Sequence, residues 1–317
     1  MIKYFSYSDL SVYSNCQEQH RLKHTPNVLP RGRGAAMVIG AAIHAAIRML
    51  HRNPALDIPS LVIDQIDQQI ANRPDVPVLW GEKQWSREGR TEKAIAITEL
   101  YWLNNKHIEV LRSEVWFWFE IPTISPQPFW MRGKVDQIIR GENGNLIIRE
   151  IKTGATDFKV EDLETDLQVP LQAFGIATGY IDTVDDRMYV GESDPSYHIH
   201  DWEASGDKFK CSHCEIVTER FGAFPEYMEF YNLMKLDAGK TEGKTKKSYG
   251  NPVVRIKIYE EHARKFIGDV AGMLANIRES ESTGIYRPPV ATGFNSPCRM
   301  CMYTAHCTKK TCVVEMT

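Results

Sequence analysis

No stretch of this 317-residue chain holds the roughly 18 consecutive apolar residues that a membrane-spanning helix needs, so no membrane span is expected. The opening segment MIKYFSYSDLS lacks the apolar core of a secretory signal, which points to a reducing cytoplasm. Cysteine is sparse, seven in all, and in that compartment the thiols read as metal ligands, redox groups or packing residues before disulfides. An excess of positive charge is also missing: the net charge is −3, so no global basic field announces a nucleic-acid binder. A site built on carboxylates would itself offset local basic patches, so where the lysines and arginines cluster matters more than their sum. Internal repeats and low-complexity tracts are absent. So is a phosphate-binding G-x-x-x-x-G-K-[ST] loop, because Gly239-Lys240-Thr241 lacks the earlier glycine.

What is present is an ordinary folded composition, 43% hydrophobic and 25% charged. Residues 8–24 read as a short helix with Ser8 at its N-cap. Residues 35–51, 59–72 and 91–112 read as further helices from their 3.6-residue apolar spacing. The character then changes. The runs 113–121, 130–140 and 146–152 are aromatic and β-branched, and the turn GENGN joins the last two, so 113–152 reads as a three-strand meander. A helix over 161–180, one or two strands within 186–202, a polar lysine- and glycine-rich loop at 237–251 and a long helix over 259–282 follow. The loop-like tail at 284–312 holds four of the cysteines. This order predicts a mixed α/β (α+β) domain with a central mixed sheet flanked by helices.

The chemistry concentrates on the meander. Asp136 lies near the end of its second strand, and Glu150-Ile151-Lys152 on the third. Glu150 and Lys152 are two apart and share a strand face, and the hairpin brings Asp136 beside them. Two carboxylates, with the Ile151 carbonyl, suit a hard divalent cation such as Mg²⁺ or Mn²⁺. Lys152 would polarise an attacking water and stabilise developing negative charge. Taken alone, the same Glu-x-Lys pair could be a solvated strand face. His44, in the apolar helix IGAAIHAAI, reads either as a core histidine or as an imidazole ligand to that cation. Gln168 follows the Glu-x-Lys strand in the next helix.

The order His44, GKVD ending at Asp136, EIKTG from Glu150, then Gln168-Val-Pro-Leu-Gln172 resembles the RecB-like branch of the PD-(D/E)XK nucleases. The resemblance implies a restriction-endonuclease-like core. Asp136, Glu150, Lys152 and Gln168 would be its catalytic residues, and His44, Asp136, Glu150 and Ile151 its metal ligands. Gln172 departs from the pattern, standing where the branch usually has tyrosine. Cys298, Cys301 and Cys307 form C-x2-C-x5-C, and with Cys16 far upstream they are similar to the iron–sulfur nucleases of this branch, such as AddB-type subunits and CRISPR-associated RecB-like exonucleases. That likeness implies a 4Fe-4S cluster pinning the tail to the first helix. Four cysteines also make a structural zinc site, and the local spacing does not exclude it. Cys211 and Cys214 form another C-x2-C, for which no second pair follows.

By this resemblance the chain is one nuclease domain: 1–112 mainly helical, 113–202 the core, 203–283 a helical insertion with the basic loop, and 284–317 the cluster tail. It implies a DNA exonuclease acting on single strands or ends, in CRISPR adaptation, recombination and repair or phage DNA metabolism, with a helicase or integrase as partner. The other reading from a different class is a catalytically silent iron–sulfur or zinc DNA-binding scaffold. Arg31, Arg33, Lys244, Lys246 and Lys247 are the expected phosphate contacts, and Trp80, Trp85 and Tyr249 the aromatics that could stack on bases.

Overall fold

The structure, a computed structural model, describes residues 4–82, 85–121, 128–154, 160–164, 166–182, 202–205, 208–212, 217–233, 252–287, 301–303 and 306–307. The chain opens with strand β1 (Tyr4–Phe5) and helices α1 (Tyr7–Asn15) and α2 (Gln17–Lys23). The segment expected as one helix from Ser8 is therefore two, broken at Cys16, whose backbone is extended (φ −160°, ψ 105°). Ser6 caps α1 instead of Ser8. Its side chain accepts from the Asp9 N–H while Asp9 reaches back to the Ser6 N–H, a reciprocal capping box.

Next come β2 (Arg33–Gly34), α3 (Ala35–Arg52), α4 (Ile58–Ala71), β3 (Val78–Leu79) and α5 (Arg87–Asn105). The meander is β4 (Val110–Ile121), β5 (Phe129–Arg140) and β6 (Leu146–Lys152). The helix expected over 161–180 is split into α6 (Val160–Glu164) and α7 (Gln168–Thr178), and Tyr180 already belongs to β7 (Tyr180–Asp182). Pro170 sits in the first turn of α7, where its missing N–H costs no helical bond.

The region read as a helical insertion carries strands first: β8 (Trp202–Ser205), β9 (Lys208–Cys211), β10 (Val217–Glu219), β11 (Tyr227–Asn232) and β12 (Val253–Lys257). Only then comes α8 (Glu260–Thr283). YMEFYN is buried on both faces, with Met228 and Phe230 in one core and Tyr231 in another, as suits an interior strand. The strands expected within 186–202 fall mostly outside the described residues. So do the 237–251 loop with Lys244, Lys246 and Lys247, as well as Cys214, Cys298 and Cys312.

Ten strands form one sheet in the order β12-β11-β6-β5-β4-β7-β10-β9-β8, with β1 added parallel to the first part of β5. The meander is antiparallel, and β11 pairs parallel with β6, so the sheet is mixed. One core lies between the sheet and helices α7 and α8, around Phe117, Phe119, Met131, Ile148, Phe174, Val270 and Leu274. A second packs α3, α4 and α5 against Ile151 and Tyr231 of the sheet. The Glu-x-Lys strand thus runs between two apolar layers, and its end opens at their junction.

Two glycines fix the spacing there. A Cβ at Gly133 or Gly175 would lie within 2.2 and 2.3 Å of the Phe117 ring, so both must lack one for the ring to sit between β5 and α7. Behind the site, Arg149 is buried and bonds Glu229 at 2.8 Å and the Asn105 side chain at 3.0 Å, tying β6, β11 and α5 together.

Candidate active site

The end of β6, the middle of β5, the start of β4 and much of α3 line one cleft of about 1240 Å³. Its walls include His44, Glu114, Lys134, Asp136, Glu150, Ile151 and Lys152. Asp136 is clamped on both oxygens. Oδ1 lies 3.0 Å from His44 Nδ1, and Oδ2 accepts the Ile151 N–H at 2.7 Å. Lys152 Nζ donates to Glu150 Oε1 at 2.8 Å and to Gln168 Oε1 at 2.9 Å. The His44, Asp136, Glu150, Lys152 and Gln168 set, spread over more than a hundred positions of sequence, is therefore contiguous in space.

His44 reaches the cleft because Gly40, one turn earlier, lets α3 approach the end of β6. A Cβ there would meet the Thr153 hydroxyl at 2.8 Å. Asp166 accepts the Gln168 N–H at 2.8 Å and so holds the start of α7, from which Gln168 reaches Lys152.

Gln172, the departure from the family pattern, is also joined to this set. Its side-chain N–H donates to Glu150 Oε2 and to the Lys134 carbonyl, each at 3.2 Å. Glu150 thereby has Lys152 on one oxygen and Gln172 on the other. Burial, reinforced by the nearby Asp136 charge, raises the Glu150 carboxyl above its ordinary value, and Lys152 and Gln168 only partly offset this. Tyr7 approaches from α1. Its hydroxyl is pushed up by burial and by the Asp166 and Glu150 charges.

Glu114 has no counterpart in the sequence argument. Ser113 pairs with Gln137 and Val115 with Val135, which sets Glu114 across from Asp136. It adopts φ +55°, a left-handed backbone that non-glycine residues rarely take and that clusters at functional sites. Its carboxylate lies 3.6 Å from His44 Nδ1 and pairs with Lys134 Nζ. Burial alone would push Glu114 up, but the His44 contact and the Lys134 charge hold it well below the usual carboxylate range. Burial would likewise push His44 down, yet the Asp136 and Glu114 carboxylates outweigh it and hold the imidazole well above its ordinary value.

The ligand atoms of His44, Glu114 and Asp136 all lie within 4.8 Å of one another. One imidazole and two carboxylates suit a small divalent cation that prefers oxygen. The donor set thus fits Mg²⁺ or Mn²⁺, and a positive charge there would relieve the concentration of carboxylates.

The expected DNA contacts fare unevenly. Arg33 points its guanidinium at the carbonyls of Gln69, Ile70, Arg73 and Val76, so it caps α4 and is spent on structure. Arg31 is exposed, and its N–H donates to the Met302 carbonyl at 2.9 Å. Trp80 packs into the α3–α5 core and Trp85 lies under Arg90. The aromatics lining the cleft are instead Trp116 and Tyr303, and Arg132 and Lys134 lie about 6 Å from the Trp116 ring. Residues Trp130 to Asp136 alternate out of the core, so Arg132, Lys134 and Asp136 share one face of β5.

At the other end of the chain, residues 301–303 lie against the loop after α2 through the Arg31–Met302 bond. The Arg287 N–H reaches Gln17 Oε1 at 2.7 Å, and Arg21 sits over Tyr286 at 6.0 Å. Cys16 is buried, and Cys301 and Cys307 are half-buried. Among the described residues, the groups whose ligand atoms come together closely enough for a metal contain no cysteine.

With this geometry in view, comparison with known proteins gives three findings. The family described as "PD-(D/E)XK nuclease superfamily" matches residues 4–308. No curated protein matches. A solved structure titled "Crystal structure of SSO0001" is similar at 12% identity and a TM-score of 0.32, with 96% of each chain covered.

Proposed function

The chain belongs to the PD-(D/E)XK nuclease superfamily, and on that premise we propose that it is a metal-dependent deoxyribonuclease that trims single-stranded DNA or DNA ends. Membership implies metal-dependent phosphodiester hydrolysis, with Mg²⁺ or Mn²⁺ as cofactor and DNA as substrate. The observation that carries the assignment to named residues is the convergence of His44, Asp136, Glu150 and Lys152 on one cleft, with Gln168 bonded to Lys152.

In this reading His44, Asp136, Glu150 and the Ile151 carbonyl would hold the cation, with Glu114 as an added donor. Bound there, it supplies charge neutralisation at the scissile phosphate and a more acidic water. The protein's own part is positional. Lys152, braced by Glu150 and Gln168, keeps an N–H toward the cleft and its charge where negative charge develops. Gln172 steadies Glu150, and the Ile151 N–H steadies Asp136.

Single strands are favoured as substrate because Trp116 stands beside Arg132 and Lys134 at the cleft edge. An aromatic face flanked by cations suits an unpaired base and its phosphates. Exonucleolytic action, and a helicase or integrase partner to open duplexes, follow from the resemblance and from the lack of a P-loop in this chain. A 4Fe-4S cluster on Cys16, Cys298, Cys301 and Cys307 belongs to the same proposal. What supports it is the seating of residues 301–303 against the loop after α2, the helix that Cys16 caps.

The test is digestion of end-labelled single-stranded DNA by anaerobically purified protein with Mn²⁺ or Mg²⁺, beside Lys152→Ala. The wild type should degrade the strand and the variant should lose about 10²–10³ in rate. A folded wild type with no cleavage on any single-stranded or frayed substrate would overturn the enzyme reading in favour of a silent DNA-binding scaffold. Brown colour with bound iron and sulfide would carry the cluster, and a colourless protein holding zinc would replace it.

A further inference from the structure

A second group of metal-ligating side chains lies outside the nuclease cleft, at the junction of α1 and α2. Asp9, His20 and His24 bring one ligand atom each to within 4.8 Å of one another. Asp9 comes from the first turn of α1. Its Oδ2 is already bonded by the Ser6 N–H at 2.9 Å and the Ser6 hydroxyl at 2.6 Å, which turns Oδ1 toward α2. His24 Nε2 lies 3.0 Å from that Oδ1. His20 and His24 are four apart, a spacing that sets two imidazoles on one side of a helix and recurs where histidine pairs bind zinc.

His20 supplies the independent observation. It is only 1% exposed, and neither of its ring nitrogens has a hydrogen-bond partner among the described residues. Its ring packs edge-on to Tyr13 at 5.4 Å and tilted to His24 at 4.7 Å, contacts that satisfy the ring's faces and edges but not its nitrogens. A buried imidazole with no partner at either nitrogen is costly, and such groups in folded proteins call for an explanation. A cavity of about 420 Å³, which Asp9, Lys23 and His24 share with Lys134, Gln168 and Gln172, gives an ion a route to Asp9 and His24.

We propose that Asp9, His20 and His24 form a second divalent-metal site of zinc type, separate from the nuclease centre, which locks α1 to α2. Two imidazole nitrogens and one carboxylate oxygen, with a water in the fourth position, make a tetrahedral zinc set. Ligand atoms in such a set lie about 3.3 Å apart, and the three here already lie within 4.8 Å of one another. Lys23 Nζ, now 2.7 Å from Asp9 Oδ1, is the cation the metal displaces, and its aliphatic stem reaches solvent at the cavity mouth. The Lys23–Asp9–His24 contacts hold the carboxylate in place in the metal-free protein. They leave His20 unexplained, and the metal accounts for it.

The test uses the full chain carrying Asp136→Asn, which disables the nuclease centre, stripped of metal and titrated with Co²⁺ and then with Zn²⁺. The expected result is a visible ligand-field band of tetrahedral Co²⁺, about one ion per chain, displaced by Zn²⁺, with Zn²⁺ raising the Tm. Adding His20→Phe, which keeps a ring against Tyr13, or separately His24→Gln, which keeps a hydrogen bond to Asp9, should abolish both the band and the Zn²⁺-dependent rise. His24 is partly exposed, so the second variant remains informative if the first does not fold. An unchanged band and Tm response in folded His24→Gln would overturn the proposal. So would the absence of any ligand-field band beyond the thiolate charge transfer of the separate cysteine set, which Cys16→Ser identifies.

Discussion

Glu114 owes its place to a backbone conformation that few side chains tolerate. Its positive φ costs on the order of 1–3 kcal/mol, and what it obtains is a carboxylate opposite Asp136 and beside His44. Without the Glu114 charge, His44 and Lys134 lose their shared partner, and the metal-binding group loses one of its oxygens. Glu114→Gln should therefore weaken Mn²⁺ binding about 10–100-fold, read by calorimetry or electron paramagnetic resonance, with the protein still folded. Unchanged affinity would reduce Glu114 to a partner for Lys134. Gln172 carries a related lesson. Where the resemblance leads one to expect tyrosine, the amide donates to Glu150 and to the Lys134 backbone, so the substitution keeps a donor next to the Glu150 carboxylate. Asp136, Glu150 and Lys152 were legible because they rest on short-range spacing and one hairpin, whereas Gln168 and the ligand reading of His44 came from the family resemblance. Glu114, Gln172 and Tyr7 were not legible, because their roles depend on strand register and helix placement that no local pattern encodes.

Among the elements, α7 matters most, since it delivers both Gln168 and Gln172. Its distance from the sheet is set by Phe117, whose ring fills the space left by Gly133 and Gly175. Alanine in mid-helix is normally better than glycine by up to about 1 kcal/mol, but the methyl of Gly175→Ala would strike the ring. Overpacking of this kind costs about 1–3 kcal/mol, so the variant should melt at lower temperature and lose activity as α7 moves away from Lys152. A raised Tm with full activity would show that the ring yields freely. The broken first helix and the split of the 161–180 segment were beyond sequence spacing for related reasons. At Cys16 and around Asp166 the apolar period continues across residues whose backbone leaves the helix to make side-chain caps.

The described residues form a ten-stranded sheet with helices on both faces and a two-stranded β2–β3 pair, and the molecule's charge state is part of its stability. His51, at the end of α3, is held down to about 4 from an ordinary value of 6.5 by burial and by the Arg149 guanidinium. The unfolded chain therefore takes up a proton before the folded one does. The stability tied to neutral His51 is complete above pH 6.5 and is lost as pH falls toward 4. On the order of 1–2 kcal/mol is at stake after allowing for its partial exposure. Denaturant unfolding between pH 7 and 4 should show this decline, and His51→Gln should flatten it. An equal slope in the variant would assign the acid sensitivity to other groups.

At this scale the division between sequence and tertiary structure is clear. The mixed α/β class, the meander, the long helices and the spacing of Asp136, Glu150 and Lys152 were determined by sequence alone. Each follows from periodicity, turn chemistry or spacings of a few residues, which act before the chain closes on itself. The tertiary structure alone decided that Glu114 faces Asp136, that Gln172 braces Glu150, that Arg33 caps α4, and that Asp9, His20 and His24 share one corner. Each of these depends on long-range register or on which donors are left without partners. Those are properties of the packed chain, because only packing excludes the water that would otherwise satisfy every one of these groups.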